Sequence, residues 1–243
     1  MRKKPRWLLP VGIAALLLFA LLLYIGTYYR ADADADAAMA SDETVRVLSA
    51  DFGWRFDGPS ETDALIFYPG AKVEAEAYAP LCRTLALSGV DVCLVRTPLR
   101  LAVLGINKAD TIIGSVQYAR WMIGGHSLGG VCAALYASKH PEKLDGVVML
   151  ASYATRPLDD GLSALYIYGT EDGILNMQSY RDFRENAPEQ AAELVIEGGN
   201  HAQFGSYGMQ RGDGAARITR EQQIEQTAAA IAGMLPGTVR TGG

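Results

Sequence analysis

The chain opens with one long apolar run and then changes to short apolar runs separated by helical patterns. Residues 7–29 carry no charge, whereas from residue 44 onward apolar runs of five to seven residues alternate with segments of helical periodicity. Short continuous apolar runs are typical of strands buried on both faces, and the amphipathic segments between them are typical of helices packed on a sheet. The alternation predicts an α/β domain over residues 44–236.

The same pattern predicts eight strands and five helices in this domain. The predicted strands are two within 44–56, with a turn near Ala50–Gly53, and then 64–68, 91–95, 121–125, 146–152, 164–169 and 192–198. The predicted helices cover 74–88, 108–118, 128–140, 176–185 and 220–235. Thr219 and Gln222 have the spacing of a capping box at the start of the last helix. The order of elements predicts a doubly wound, mostly parallel eight-stranded sheet.

The uncharged run at the N-terminus predicts a transmembrane helix over residues 7–29. Its 23 residues would span about 34 Å at ~1.5 Å per residue, which exceeds a hydrocarbon core of ~30 Å. Trp7 lies at one end and Tyr24, Tyr28 and Tyr29 at the other, as interfacial anchors do. The basic flank, residues 1–6, predicts a cytoplasmic N-terminus, a single pass through the cell membrane and an extracytoplasmic domain.

The competing interpretation of this segment is a cleaved signal peptide followed by secretion. Ala38-Met39-Ala40 fits the small-residue pattern of a cleavage site. The apolar run, however, is longer than a usual signal core, and Ala38 lies well beyond its end. We therefore favour the uncleaved anchor. Residues 30–43 are acidic and low in complexity, which predicts a solvated linker that holds the domain off the membrane.

Composition argues against a disordered chain and against a nucleic-acid-binding protein. A length of 243 residues with 49% hydrophobic residues fits one folded domain with an appendage rather than a disordered chain. The first 30 residues carry five basic and no acidic side chains, so the net charge of −5 conceals a strongly acidic remainder. That balance argues against a nucleic-acid partner. We expect a monomer whose last residues, 237–243, form a disordered tail.

The three cysteines and three histidines exclude two kinds of site. Three cysteines are too few for a disulfide scaffold, although Cys82 and Cys93 could come close in space; buried free thiols are the favoured interpretation. No CxxC pair or Cys/His cluster is present, so a zinc site is not expected. We expect no metal ion at the site.

Ser127 is the candidate nucleophile because it lies in a G-x-S-x-G pattern between a predicted strand and a predicted helix. Such a turn strains the backbone at the serine and exposes its Oγ. Gly125 and Gly129 flank it because side chains at those positions would collide with their neighbours. The amide of Leu128 and the dipole of the following helix would stabilise an oxyanion beside the serine.

A nucleophilic serine needs a base, and His201 is the candidate. It follows the last predicted strand in a glycine-rich loop that can bring an imidazole to the serine. His126 is adjacent to the serine and is expected to point elsewhere. His140 closes a helix just before a proline, where a cation is ordinary stabilisation.

Asp172 is the candidate acid that orients this base. It follows the strand 164–169, at the carboxyl end where open α/β sheets place their sites. Glu171 is the alternative. The order Ser127, Asp172, His201 is the order of nucleophile, acid and histidine in α/β-hydrolases, and differs from two unrelated serine-protease orders.

A second oxyanion donor is expected in the loop that follows the strand 64–68. Gly70 allows a tight turn there, and the amide of Ala71 is the candidate donor. Lys72 could approach an anionic substrate, although a solvated loop lysine is the more common role.

With these motifs in hand, the sequence resembles a small bacterial α/β-hydrolase of the group that includes carboxylesterase-like and dienelactone-hydrolase-like enzymes. The resemblance covers residues 44–236 and rests on GHSLGG, YPGA, GTEDG and GGNH. It implies hydrolysis of esters or related acyl groups without a cofactor. Two features depart from the group: the loop reads Pro-Gly where many relatives have His-Gly, and dienelactone hydrolases use a cysteine where this chain has Ser127.

The sequence therefore predicts a membrane-anchored serine hydrolase that cleaves small carboxylic esters through an acyl-enzyme intermediate. Only residues 153–163 separate two predicted strands where relatives often insert a cap, so we expect an open site without a lid. Two alternatives remain: a non-catalytic binding module on a hydrolase scaffold, and a peptidase or acyltransferase with the same three residues.

Overall fold

The computed structural model of this chain describes residues 8–59 and 61–234. The predicted cytoplasmic flank, residues 1–6, and the predicted tail, residues 237–243, lie outside the described residues, as does Trp7.

Eight strands and seven α-helices make up this part of the molecule. The strands are β1 (Arg46–Ala50), β2 (Gly53–Asp57), β3 (Asp63–Tyr68), β4 (Asp91–Val95), β5 (Arg120–His126), β6 (Gly146–Leu150), β7 (Ser163–Gly169) and β8 (Ala192–Ile196). The helices are α1 (Leu8–Gly26), α2 (Ala33–Ala38), α3 (Ala79–Leu87), α4 (Lys108–Ser115), α5 (Leu128–Ala137), α6 (Met177–Asp182) and α7 (Arg220–Ala232).

The strands form one sheet in the order β1-β2-β4-β3-β5-β6-β7-β8. β1 and β2 pair antiparallel, as do β2 and β4, while all remaining neighbours are parallel. The prediction of an eight-stranded, mostly parallel sheet is confirmed. We call the edge where β3 to β8 end the carboxyl edge, and the edge where they begin the amino edge. Ligand sites of open parallel sheets lie at the carboxyl edge.

Both faces of the sheet are covered, which explains the continuous apolar strands. Every residue of β3, β4 and β6 is buried. One core lies under α3 and α7 and contains Leu81 and Ile231; the other lies under α4 and α5 and contains Ile112 and Ala133. All three cysteines are buried and free.

Helix boundaries differ from the sequence pattern where proline intervenes. The segment predicted as one helix over 74–88 is a 3-10 turn at Ala75–Tyr78 followed by α3. Pro80 lies in the first turn of α3, where the missing backbone N–H needs no partner within the helix. In the interior of one continuous helix over 74–88, the same proline would remove a backbone hydrogen bond. The predicted capping box of Thr219 and Gln222 is present at the start of α7.

Helix α1 is long and apolar enough to cross a membrane. The stretch Leu9–Gly26 has a mean hydropathy of 2.5, and none of it is buried inside the protein. The helix ends at Gly26, three residues before the predicted end of the span. Tyr29 continues in an extended form and pairs with Val73 of the domain.

The acidic segment that follows contradicts the expectation of a solvated linker over residues 30–43. Asp32 caps α2, and Ala35 is completely buried against the domain. The Asp32 carboxylate pairs with Arg220 of α7 at 2.6 Å, and Asp42 pairs with Arg83 of α3 at 2.6 Å. Composition suggested a solvated spacer because the arginines that pair with these acids lie far away in the sequence.

Candidate active site

Ser127 occupies a strained turn between β5 and α5. Its backbone has φ 52° and ψ −124°, a positive-φ conformation that a non-glycine residue rarely adopts. The amide of Ser127 donates to Leu150 O at 2.9 Å, and Ser152 Oγ donates to Ser127 O at 2.9 Å. These bonds to β6 and the segment after it hold the strained turn in place.

The two flanking glycines are required by close backbone contacts. A Cβ at Gly125 would lie 2.4 Å from the carbonyl oxygen of Tyr68, and a Cβ at Gly129 would lie 2.1 Å from the same atom. Both distances are far below van der Waals contact. The turn is therefore packed directly against the end of β3, where the loop with the expected oxyanion donor begins.

Asp172 and His201 form a buried hydrogen-bonded pair at the carboxyl edge. Asp172 Oδ2 lies 2.9 Å from His201 Nδ1, and the two side chains are 1% and 2% exposed. The other carboxylate oxygen, Oδ1, accepts from the amides of Ile174 at 2.8 Å and Leu175 at 2.7 Å. With both oxygens engaged, the carboxylate has one orientation, and it faces Nδ1 of the histidine.

Glu171, the alternative acid, does not share this arrangement. Its carboxylate pairs with Arg217 at 2.5 Å, and the arginine side chain is largely exposed. A surface ion pair of this kind contributes little and is screened by solvent. The structure brings Asp172, and not Glu171, to the histidine.

Asp213 is a residue that the sequence analysis missed. Its carboxylate accepts from the amide of Ala202 at 2.8 Å, from His201 N at 3.3 Å and from Gly173 N at 3.0 Å. It thereby joins the loop of His201 to the loop that contains Asp172. It lies in an irregular stretch that carries no periodic or motif signal, so only the folded chain shows its place.

His126 also lies at the site, contrary to the expectation that it points elsewhere. It is buried, and its ring centroid is 4.3 Å from that of His201. Burial lowers the pKa of His126 well below its usual value, and the neighbouring His201 lowers it further. His126 therefore stays neutral near neutral pH and adds no positive charge beside His201.

Tyr78 connects His126 to the loop after β3. Its hydroxyl lies 2.8 Å from His126 Nδ1 and accepts from the amide of Gly70 at 3.1 Å. The Gly70 amide is thus occupied. The neighbouring amide, that of Ala71, lies in the half-buried turn that follows Gly70.

Lys72 is engaged by the end of α1. Its Nζ lies 2.8 Å from Thr27 Oγ1 and 4.3 Å from the ring centroid of Tyr24. The amine is therefore directed toward the apolar helix and the residue that follows it.

This arrangement brings the three candidate residues to one edge of the sheet. Ser127 follows β5, Asp172 follows β7 and His201 follows β8. The contact between the His126 and His201 rings brings the histidine loop onto the serine turn. The first turn of α5 adds amide donors that have no partner within the helix, since they precede its first hydrogen bonds.

Solved structures share this fold at low sequence identity. A dienelactone hydrolase from Anabaena variabilis is 13% identical with a TM-score of 0.58, covering 79% of this chain and 97% of its own. Est1E from Butyrivibrio proteoclasticus is 12% identical with a TM-score of 0.54, covering 79% and 99%. A pyrethroid hydrolase from Sphingobium faniae is 16% identical with a TM-score of 0.54, covering 71% and 96%. These likenesses show the fold.

The family of this chain is identified by a match to its sequence. No curated protein sequence matches this chain. The profile of the alpha/beta hydrolase family matches residues 64–225, which is well over half of the chain and extends from β3 into α7. The eight-stranded sheet, the strained turn after β5 and this match agree, and the chain belongs to the alpha/beta hydrolase family and is a hydrolase.

Proposed function

We propose that this hydrolase cleaves carboxylic esters with Ser127 as nucleophile, His201 as general base and acid, and Asp172 as the group that orients the histidine. The observation that carries the proposal is the buried hydrogen bond of 2.9 Å between Asp172 and His201. It lies at the same sheet edge as a serine held in a strained, partly exposed turn.

The first half of the reaction forms an acyl-enzyme. Ser127 Oγ attacks the ester carbonyl carbon while His201 Nε2 takes its proton. The amides of Leu128 and Ala71 hold the oxyanion of the tetrahedral intermediate. When the intermediate collapses, the bond to the leaving oxygen breaks and His201 returns the proton to the alkoxide.

The second half releases the acid. Water attacks the acyl carbon while His201 Nε2 accepts one of its protons, and collapse of the second intermediate returns that proton to Ser127 Oγ. Asp172 accepts from Nδ1–H throughout, which keeps the lone pair on Nε2 and stabilises the imidazolium that forms twice in each cycle.

A fluorophosphonate probe tests the nucleophile, because only an activated serine reacts with it. The wild-type protein is expected to be labelled, Ser127→Ala to be unlabelled, and ester turnover of Ser127→Ala to fall to the background rate. Ser138→Ala is the matched control, since Ser138 lies at the opposite end of α5 and bonds only to its own helix. Labelling that persists in Ser127→Ala would overturn the mechanism. An unreactive wild-type protein would favour a binding module.

The fluorophosphonate probe labels an activated serine in an esterase, a peptidase or an acyltransferase alike. These three activities differ in the leaving group of the substrate and in the acceptor of the acyl group. The connection between β6 and β7, residues 151–162, is too short to hold a separate cap, so the site stays open to water. Water is then the acceptor that competes best for the acyl-enzyme. A panel of acyl esters, peptides and alcohol acceptors measures the partition directly.

We also propose that α1 anchors the protein in the cell membrane with its domain outside. The unburied apolar stretch of membrane length fits a membrane span and a signal sequence alike. One contact supports an uncleaved anchor: Arg83 Nε donates to Ala38 O at 3.0 Å. Cleavage at that position would remove α2 and expose the core that Ala35 covers. The basic flank supports the orientation.

An impermeant maleimide applied to cells that produce Leu87→Cys tests this orientation, since the native thiols are buried. Labelling of intact cells is expected. If labelling requires lysis of the cells, the domain lies on the cytoplasmic side and the proposed orientation is wrong. If the mature chain begins at Ser41, the segment is a cleaved signal peptide and the protein is secreted.

A further inference from the structure

The end of α1 joins the domain at the loop beside the serine turn. Tyr29 N donates to Lys72 O at 2.7 Å, and Glu74 N donates to Tyr29 O at 3.0 Å. Contacts begin within the last helical turn, where the Lys72 amine lies over the Tyr24 ring. Only Thr27 and Tyr28 separate the end of α1 from this paired segment, so no slack chain separates the helix from the domain.

Two further loops of the carboxyl edge close around the same point. Arg100, in the loop after β4, places its guanidinium 3.3 Å from the ring centroid of Tyr28. Arg211, in the long segment after β8, donates its amide to Tyr29 Oη at 3.4 Å, and Tyr207 packs on the Tyr29 ring at 5.4 Å. The helix therefore leaves the domain among the loops that follow β3, β4 and β8, which also contain the proposed oxyanion donor and His201.

These flanking loops expose large apolar side chains. Leu99 is 47% exposed, Val103 54%, Leu104 52% and Met209 94%. Arginines at positions 96 and 100 lie in the same loop as the first three. Apolar side chains with cations beside them are the chemistry of a membrane–water interface, where the apolar groups enter the acyl layer and the cations meet the headgroups.

We propose that the carboxyl edge faces the bilayer that holds α1, and that the substrate is a carboxylic ester whose apolar part resides in that bilayer. This inference rests on the proposed esterase function. An ester carbonyl at the level of the headgroups would enter the site between the loop after β4 and the segment after β8. The domain thus lies on the membrane instead of being held away from it.

Depth-dependent quenching tests the orientation without any catalysis. Full-chain Leu104→Cys and Met209→Cys are labelled with bimane and placed in phosphatidylcholine vesicles that contain nitroxide-labelled lipid. Both probes are expected to be quenched at least about threefold more than bimane on Leu87→Cys. Leu87 is the matched control because it is also 52% exposed and ends α3 at the amino edge. Equal quenching at the three positions would overturn the proposal.

An insertion tests the substrate class. About 20 Gly/Ser residues between Gly26 and Thr27 add roughly 25 Å of mean reach and lift the domain away. Wild type is expected to cleave a fluorogenic long-chain ester in its own vesicle at least about tenfold faster than the insertion variant does, because the ester is concentrated at the site. A water-soluble short-chain ester is expected to be cleaved equally by both proteins.

The outcomes separate this inference from the function on which it rests. If neither ester is cleaved and Ser127 stays unlabelled, the esterase function fails. If the soluble ester is cleaved and the insertion leaves cleavage of the vesicle ester unchanged, the function stands and the membrane-facing site is overturned.

Discussion

Two carboxylates lie buried at opposite edges of the same sheet, and they differ in what they contact. The side chain of Asp172 at the carboxyl edge is 1% exposed, and the whole residue Asp91 at the amino edge is 1% exposed. Asp91 accepts from the Gly58 amide at 2.8 Å and from Tyr118 Oη at 2.5 Å. Asp172 accepts from two amides and faces His201 Nδ1.

The side chain that each carboxylate contacts distinguishes a candidate catalytic role for Asp172 from a structural role for Asp91. An imidazole can take up a proton and become a cation, so the carboxylate of Asp172 has a charge to stabilise during a reaction. A phenol does not form a cation, and burial raises the pKa of Asp91 to about 6. Burial of a carboxylate alone therefore does not identify a functional site. The partner and the edge of the sheet do.

The largest expected effect comes from exchanging each acid for its amide. Asp172→Asn is expected to lower kcat for a soluble ester by about 10³–10⁴, because the amide leaves His201 in the wrong tautomer. Asp91→Asn is expected to leave kcat within about twofold, since the amino edge takes no part in the reaction. Steady-state kinetics on both variants measure the contrast.

Glu171→Gln completes that measurement as the neighbouring control. It removes only one member of a surface ion pair with Arg217, so kcat is expected to stay within about twofold. A large loss in Glu171→Gln with a small one in Asp172→Asn would show that the acid has been misassigned.

A smaller effect is expected from removing one hydroxyl at each edge. Tyr78→Phe leaves the Gly70 amide and His126 without their shared partner. Displacement of the loop with Ala71 is expected to lower kcat by about tenfold with little change in KM, since the oxyanion is bound more tightly than the substrate. Tyr118→Phe is the comparison at the amino edge, where it removes a half-buried hydroxyl that donates to Asp91 Oδ2.

Kinetics on the two variants decide the role of Tyr78. We assign it a positioning role because it acts through Gly70 and His126. Equal changes in kcat for Tyr78→Phe and Tyr118→Phe would reduce Tyr78 to a packing residue. A rise in KM alone would place it in substrate binding instead.

The smallest expected effect is a dependence of stability on pH at the amino edge. The pKa of Asp91 in the folded protein, about 6, lies above the ordinary value of 3.8. Its contribution to stability is therefore complete below about pH 4 and is lost as pH rises through about 6. Asp91→Asn, which cannot ionise, is expected to gain a few degrees in Tm over wild type between pH 4 and 7.

Thermal melts of both full-length proteins across this range measure the difference. A gap that stays constant with pH, or one that narrows as pH rises, would contradict the raised pKa of Asp91. The ratio of the esterase activities of the two proteins is not expected to change with their difference in Tm, because Asp91 lies at the amino edge and the proposed reaction takes place at the carboxyl edge.

Much of the architecture follows from local patterns. The apolar runs over 64–68 and 91–95 predict β3 and β4 to within one residue, because a strand buried on both faces needs continuous apolar side chains. The Thr219 capping box is likewise local, since both of its bonds lie within one turn. The Gly-His-Ser-Leu-Gly turn is local too, and its steric demand can be inferred from two glycines alone.

The acidic segment shows where such local inference ends. Asp32, Asp34 and Asp36 suggest a solvated spacer when only their neighbours in the chain are considered. In the folded protein Arg220 pairs with Asp32 and Asp34. A charge is solvated or paired according to what lies opposite it in space, and periodicity along the chain holds no information about that.

The sequence by itself determined the eight strands and the longer helices of the domain, the serine turn and the order of the candidate residues, because each depends on side chains within a few positions of one another. Only the tertiary structure decided that Asp172 rather than Glu171 faces His201, and that His126 lies against that histidine. It also decided that α1 meets the carboxyl edge at Lys72. These contacts join residues tens of positions apart, and they exist only once the sheet has brought the ends of its strands together.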